Sequence, residues 1–286
     1  ESRSFEEVAG YVHEFDPCIN ARVIRDTARM DISLPPEPTL IFSPALIRHR
    51  PAVNGRVFCG YPLSKSEEYV ALEKAGIAVP AWTLLSEDQS PDLSRFDDDY
   101  LVKKPDYGGR GAEVKIVRKI RVKWSPVTTR SAGTCSSFVL QRFIYTGPRP
   151  VCYRVNTLFG KVLYSRRYEV RDDRPVWSGP DDMNFSGRSI VASSPNSKVE
   201  PNYEEDIIRL GERAHSAFPE IPLLGFDIVR EVPSGNLFVL EANAIGYVWN
   251  FYARHEADYG FSAETQFDGI RKAAYILAEK TQECAR

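Results

Sequence analysis

The sequence predicts a mixed α/β fold of the α+β kind, and three features carry that expectation. The first is the run from Leu223 to Ala244, LLGFDIVREVPSGNLFVLEANA. β-Branched and aromatic residues flank a PSGN cluster there, the pattern of two strands around a turn. The second is a glycine-rich connection that joins strand to strand at 108–111. The third is helical spacing: Ile207, Leu210, Ala214 and Phe218 recur as one apolar face, as do Phe267, Ile270, Ala274 and Leu277.

In chain order, residues 1–62 hold short apolar stretches broken by LPPEP at 34–38. Ser64 then opens a helix with a capping-box pattern to Glu67, and Gly76 closes it. The stretch IAVPAWTLL supplies the next strand. A strand from Tyr100 ends in Lys103-Lys104-Pro105, and Gly108, Gly109, Arg110 and Gly111 follow. Glycines let a backbone approach an anion closely, and their N–H groups cradle phosphate oxygens. A strand-borne lysine adds a point charge. Adjacent strand residues face opposite ways, so only one of Lys103 and Lys104 can serve. The GxxxxGK[ST] order of a P-loop is missing, and a plain flexible turn explains the glycines equally well.

Ser137 to Gly147 reads as a further strand, and Val151 to Val170 as a long hairpin turning near Phe159-Gly160. Arg154 sits in its first strand. An arginine inside an apolar strand must find an anionic partner, a ligand or a structural ion pair, or bend to water. In the 223–244 hairpin, setting Asp227 opposite Glu241 requires an odd loop or one bulge. Asp227, Val229, Val239, Glu241 and Asn243 are then expected on one face, with Phe226, Ile228, Phe238, Leu240 and Ala242 on the other. Both faces are mostly apolar, so the sheet is expected to be buried on both sides. Two carboxylates and an amide gathered there suit Mg²⁺, which takes oxygen ligands and substrate phosphates. The rival reading is an edge hairpin whose acids reach solvent.

Composition sets outer bounds. The chain of 286 residues is 43% hydrophobic and 27% charged, with a net charge of −2. That is enough chain for one sizeable core or two lobes. The near-neutral balance gives no electrostatic footing for nucleic acid or an anionic membrane. Cys18, Cys59, Cys135, Cys152 and Cys284 are scattered, with neither a disulfide framework nor zinc-ligand spacing. Reduced thiols in a cytoplasmic protein are the simple reading. No signal peptide or long apolar run is evident, and Glu1 is compatible with a trimmed chain. No nucleophilic triad forms either, since His13, His49, His215 and His255 lie in separate segments, and His215 reads as structural.

Taken in order, five blocks resemble the ATP-grasp superfamily of carboxylate–amine ligases. They are SKSEE…GIAVP (64–80), KKP…GGRG (103–111), VLQRFI (139–144), YRVNTLFGKV (153–162) and GFDIV…LEANA (225–244). The resemblance runs from about Leu63 to the C-terminus. It is greatest to the branch of ribosomal-protein glutamate ligases and peptide-modifying ligases. It implies an ATP-grasp fold of two α+β lobes gripping ATP: residues 1–62 as a reduced N-terminal α/β domain, 63–146 as the small lobe with its linking helix, and 147–286 as the large lobe.

The resemblance also assigns roles by position. Lys65 and Lys104 contact nucleotide phosphates, and the Gly108–Gly111 loop closes over them and excludes water. Gln141, Arg142, Phe143 and Ile144 form a hinge that reads adenine through its backbone. Asp227, Glu241 and Asn243 hold Mg²⁺, expected as two ions. Arg154, with Lys104, is the catalytic group that neutralises the transferred phosphoryl. Arg166 and Arg167 are secondary candidates for phosphate or a substrate carboxylate, and Trp249 for the acceptor side, where a core aromatic is the rival reading. Two departures stand out. Many relatives carry a hinge carboxylate where this chain has Gln141, which leaves the ribose partner open, and some carry an arginine where this chain has Gly225.

The implied reaction is ATP-dependent amide or peptide-bond formation through an acyl phosphate, releasing ADP and phosphate. The partners are a carboxylate and an amine, each a small molecule or a peptide, with no nucleic acid and no membrane; the oligomeric state stays open. The rivals are an ATP-grasp kinase acting on a hydroxyl and a non-catalytic nucleotide-binding module.

Overall fold

The computed structural model describes residues 2–24, 36–49, 51–88, 90–108, 111, 113–129, 133–182, 184, 188–192, 196–245, 248–252 and 263–285. Its elements are α1 (Ser2–Phe15), β1 (Thr39–Ser43), β2 (Gly55–Cys59), α2 (Lys65–Lys74), β3 (Trp82–Leu85), β4 (Tyr100–Pro105) and β5 (Lys115–Arg118). β6 (Val127–Thr129), β7 (Gly133–Cys135), β8 (Phe138–Arg142), β9 (Val151–Leu158), β10 (Lys161–Val170) and β11 (Ser197–Pro201) follow. α3 (Glu205–Ala214), β12 (Leu223–Arg230), β13 (Leu237–Asn243), α4 (Ala263–Gln266) and α5 (Gly269–Cys284) complete them. No described helix is long and apolar enough to cross a membrane.

Two antiparallel sheets dominate, a four-stranded one in the order β3-β8-β4-β5 and a five-stranded one in the order β11-β10-β9-β12-β13. β1 and β2 form a separate parallel pair, and β6 and β7 a small hairpin. Local chemistry explains the connections. Phe159 and Gly160, at φ 46° and 80°, make the two-residue turn between β9 and β10, whose twist matches that of the strands. Helix α2 carries its capping box: the Glu67 N–H donates to Ser64 Oγ at 3.2 Å, and the Ser64 N–H donates to Glu67 Oε2 at 2.8 Å.

Helix α3 lies on the five-stranded sheet, burying Ile207, Leu210 and Ala214 with Val155, Phe226, Ile228 and Val239. Its approach is close enough that a Cβ on Gly211 would meet Val155 Cβ at 2.7 Å. The opposite ends of the chain share a second core, in which Val8 and Val12 of α1 pack with Ile270, Ala274 and Leu277 of α5.

Two expectations need correcting. α5 begins at Gly269, so Phe267 precedes that helix, although it still packs against the core. In the β12–β13 hairpin Asp227 does pair with Glu241, but the irregularity falls between Asp227 and Ile228, opposite Leu240. Val239 therefore pairs with Ile228 and is fully buried in the core, whereas Phe238 pairs with Val229. A bulge reverses side-chain parity for every residue beyond it, which the regular alternation could not foresee.

His215 follows α3, is buried, and shares a 2.7 Å hydrogen bond between its Nδ1 and Thr157 Oγ1. Burial lowers its pKa to about 4. The unfolded chain therefore binds more protons than the fold between about pH 6.5 and 4, so stability should fall as pH drops through that window. The loss should total about 3 kcal/mol. Urea unfolding of wild type and His215→Gln across pH 4 to 7 checks this, and the variant should show a flatter profile.

Candidate functional site

One row of side chains crosses the large sheet at right angles to its strands. Arg166 on β10 pairs with Arg154 on β9, Arg154 with Asp227 on β12, and Asp227 with Glu241 on β13. Paired antiparallel residues share a face, so two guanidinium groups and two carboxylates stand side by side. Arg154 grips Asp227 with both prongs, Nε to Oδ1 and Nη2 to Oδ2, each at 2.7 Å. Arg166 is buried and donates to the Asn250 carbonyl at 2.9 Å. Asn243 ends the row's metal-type oxygens, with its Nδ2 donating to the Gly225 carbonyl at 3.1 Å and to Asp227 Oδ2 at 3.4 Å.

The other sheet and helix α2 supply the facing cations. Lys65 Nζ lies 3.2 Å from Glu241 and donates to the Gly108 carbonyl at 2.7 Å, tying the glycine-rich connection to α2. Lys104 is buried and donates to Tyr69 Oη at 2.9 Å and the Leu240 carbonyl at 3.1 Å. Burial lowers its ammonium to about 8, with Glu241 opposing that drop. Lys103 turns the other way, donating to the Lys123 carbonyl at 2.9 Å over the Phe138 ring. Strand alternation separates the two lysines, as their adjacency requires.

Three residues not foreseen in the sequence complete the cluster. Glu68 is buried, and its carboxylate accepts from the Ala242 N–H at 2.9 Å, between Glu241 and Asn243. Burial, reinforced by Glu241, raises its pKa well above the ordinary carboxylate range. The Tyr69 hydroxyl lies 2.6 Å from Gln141 Oε1 and 3.0 Å from the Leu240 carbonyl. Asp106 accepts from the Ser66 N–H at 2.8 Å and its hydroxyl at 3.0 Å, joining the end of β4 to the start of α2. A signal existed: Lys65, Glu68, Tyr69 and Leu72 follow the i, i+3, i+4, i+7 spacing of one buried helix face.

These groups border a cleft between the sheets. Its charged lining is Lys65, Lys104, Asp227 and Glu241, and its apolar lining includes Val102, Phe143, Ile144, Trp177, Val229 and Leu240. Gly108, Gly111 and Gln141 also border it; Gly109 and Arg110 lie outside the described residues. Among the described residues, no hydrogen bond engages the backbone of Phe143 or Ile144.

Other expected residues lie elsewhere. The Arg142 side chain pairs with Glu231 at 2.6 Å, and its backbone N–H donates to the Ala81 carbonyl at 2.9 Å. Arg167 pairs with Glu169 at 2.5 Å and with Glu200 at 3.4 Å. Trp249 is a core residue: it stacks on Phe5 at 4.9 Å and donates to Ser4 Oγ at 2.9 Å. At Gly225 a Cβ would meet Val248 Cγ1 at 3.0 Å and Asn156 Nδ2 at 3.2 Å, so any side chain there crowds both neighbours.

The donor chemistry fits Mg²⁺. Among the described residues no three His, Cys, Asp or Glu gather as a metal cluster, but Asp227 and Glu241 with the Asn243 amide offer hard oxygen ligands beside two lysines.

No family model matches the chain, and neither does any curated protein. Among solved structures it is similar to the D-cycloserine synthetase DcsG, at 17% identity and TM-score 0.50, covering 77% of this chain and 70% of that one. It is also similar to the ATP-grasp ligase PsnB in complex with a precursor variant, Mg and ADP, at 17% identity and TM-score 0.47. That match covers 77% of this chain, which spans 58% of PsnB. The D-alanine–D-alanine ligase from Bacillus anthracis is 16% identical, with TM-score 0.47, covering 76% of this chain and 68% of that one. The likeness to DcsG, together with the sheet order, shows the ATP-grasp fold.

Arg154→Ala should strand the partly buried Asp227 carboxylate and lower the unfolding free energy by about 1–3 kcal/mol, below the cost of breaking a fully buried pair. Asp227→Asn in that background should recover part of the loss. Urea unfolding of both single variants and the double variant gives the coupling between them.

Proposed function

We propose that the chain is an ATP-dependent carboxylate–amine ligase that forms an amide or peptide bond and releases ADP and phosphate. One observation carries this reading. The paired Asp227 and Glu241, with Arg154 clasping Asp227 in the same sheet, lie with Lys65 and Lys104 along a cleft whose remaining lining is largely apolar. A triphosphate needs such cations, and a base needs such an apolar pocket. In this reading residues 63–146 and 147–286 act as the two lobes and residues 1–62 as a reduced N-terminal unit. The peptide-modifying and ribosomal-protein glutamate ligases are the branch proposed.

Asp227, Glu241 and the Asn243 amide oxygen would hold Mg²⁺, which when bound supplies charge neutralisation to phosphate oxygens. The other roles belong to the chain's own groups. Lys65 and Lys104 bind the phosphates, and the 108–111 connection covers them and keeps water from the acyl phosphate. Phe143 and Ile144 offer unengaged backbone groups to the base edge. Arg154 is the catalytic cation. Its planar fork, now spent on Asp227, matches a phosphoryl group equally well. Arg166, its neighbour in the row, is the proposed group for a substrate carboxylate. Phosphoryl transfer to a carboxylate followed by attack of an amine needs positioning and charge compensation, not a protein nucleophile.

The test is a mass-spectrometric screen of carboxylate and amine pairs with ATP, scoring ADP, phosphate and an amide product. A phosphorylated product with no free phosphate would replace the ligase with a kinase. Tight ATP binding without turnover across the panel would replace it with a binding module.

Lys104→Ala should raise the Kd for ATP by about tenfold or more, the scale of one lost charge-assisted contact. Lys103→Ala should leave it within about twofold, because that side chain faces away from the cleft. Calorimetric titration of both variants checks the pair, and a reversed order would place the wrong lysine at the phosphates.

A further inference from the structure

One buried hydroxyl decides where the Lys104 ammonium points. Tyr69 lies on the inward face of α2, fully buried, with its ring tilted against Trp82 at a centroid distance of 5.4 Å. Its hydroxyl lies 2.6 Å from Gln141 Oε1 and 3.0 Å from the Leu240 carbonyl, and it accepts from Lys104 Nζ at 2.9 Å. A phenol carries a single proton. Gln141, the nearer acceptor, takes it, which leaves an oxygen lone pair facing the ammonium.

Lys104 Nζ also donates to the Leu240 carbonyl at 3.1 Å, beside the irregularity of the β12–β13 ladder. An ammonium has three protons, so with two placed by the protein the third is left for the cleft that Lys104 borders. Glu241 and Glu68 both attract this charge, yet among the described residues Lys104 pairs with neither carboxylate directly. A lysine is a point charge on a flexible four-carbon stem, with nothing in its own structure to aim it. Without the hydroxyl, the strongest pull on the ammonium is Glu241, and there it would neutralise an oxygen ligand instead of a phosphate.

We infer that Tyr69 is a positioning residue for the phosphate-binding lysine: its hydroxyl, oriented by Gln141, holds the Lys104 ammonium toward the cleft and off Glu241. Tyr69 touches no substrate and acts only through Lys104. The inference rests on the nucleotide reading above and deepens it, by assigning the aim of one cation to a residue of helix α2. A binding group fixed before its ligand arrives has less ordering left to lose on binding.

A double-mutant cycle on ATP binding, read by calorimetry, tests this. Tyr69→Phe keeps the ring, removes the oxygen, and should raise the Kd for ATP about fivefold. In the Lys104→Ala background the same change should alter the Kd by no more than about twofold, since no ammonium is left to aim. A merely structural tyrosine would cost the same affinity in both backgrounds. That result overturns the inference, as does an unchanged Kd in folded Tyr69→Phe. Where Tyr69→Phe fails to fold, Gln141→Met reports in its place. With that acceptor gone, the tyrosine proton turns to the Leu240 carbonyl and contends with Lys104 for it. ATP should then weaken about threefold, and an unchanged Kd overturns the inference. Wild-type protein that binds no ATP overturns the nucleotide reading itself. ATP binding that survives Lys104→Ala unchanged removes that lysine from the phosphates, and the inference with it.

Discussion

Two like charges on facing strands are a liability, and the rest of this structure is arranged around that constraint. Asp227 and Glu241 are directly paired across β12 and β13, a position where like charges repel. Relief comes from two directions. Arg154 takes Asp227 within the same sheet, and Lys65 takes Glu241 from helix α2. The second contact ties helix α2 to the large sheet, and beside it Lys104 of the other sheet donates to the Leu240 carbonyl, so the two sheets are joined at this point. Glu68 strengthens the tie by accepting from the β13 backbone at Ala242, so α2 grips both the side-chain and the main-chain side of the strand. Breaking such an arrangement is costly because each partner left behind is a partly buried charge.

Hairpins, caps and the lysine alternation were legible because they are local. Ser64 and Glu67 cap a helix with groups three residues apart, and Phe159-Gly160 turns a chain within four residues. What escaped was non-local or disguised. The inward face of α2 carries Lys65, Glu68, Tyr69 and Leu72, so a scan for apolar spacing assigns half of it to solvent. Trp249 lies beside metal-type residues in sequence but is claimed by Ser4 and Phe5 from the far end of the chain. Trp177 sits in a connection with no periodic pattern at all. The role of a side chain is legible when its partners are near in sequence, and these partners were not.

Gln141 shows how a departure from a family pattern acquires a physical reason. The position borders the cleft, yet its amide oxygen lies 2.6 Å from the Tyr69 hydroxyl, which in turn accepts from Lys104. A carboxylate there would add a further acidic group to a cluster that already holds Glu68 and Glu241, where burial and Glu241 already disfavour ionisation of Glu68. A neutral amide accepts the same hydrogen bond without that burden. Position 141 thus serves the lysine's surroundings, and the hinge residues that remain for a ligand are Phe143 and Ile144.

The bulge at Leu240 has a consequence for how this hairpin can vary. The turn at 231–236 joins Arg230 to Leu237 in a ladder that stays regular until Val239, so the turn can lengthen or shorten without moving anything that faces the cleft. Leu240 has no such freedom. With one residue too many for regular pairing, the strand resets its parity there, and that reset brings Glu241 beside Asp227 instead of Phe226. Deleting the residue would keep the parity, since a regular ladder from Val239 would still set Glu241 opposite Asp227. It would also remove the odd carbonyl on which Lys104 rests. Length variation in homologous hairpins should therefore collect in the turn and avoid position 240, where one backbone oxygen couples the count of residues to the seat of a charge.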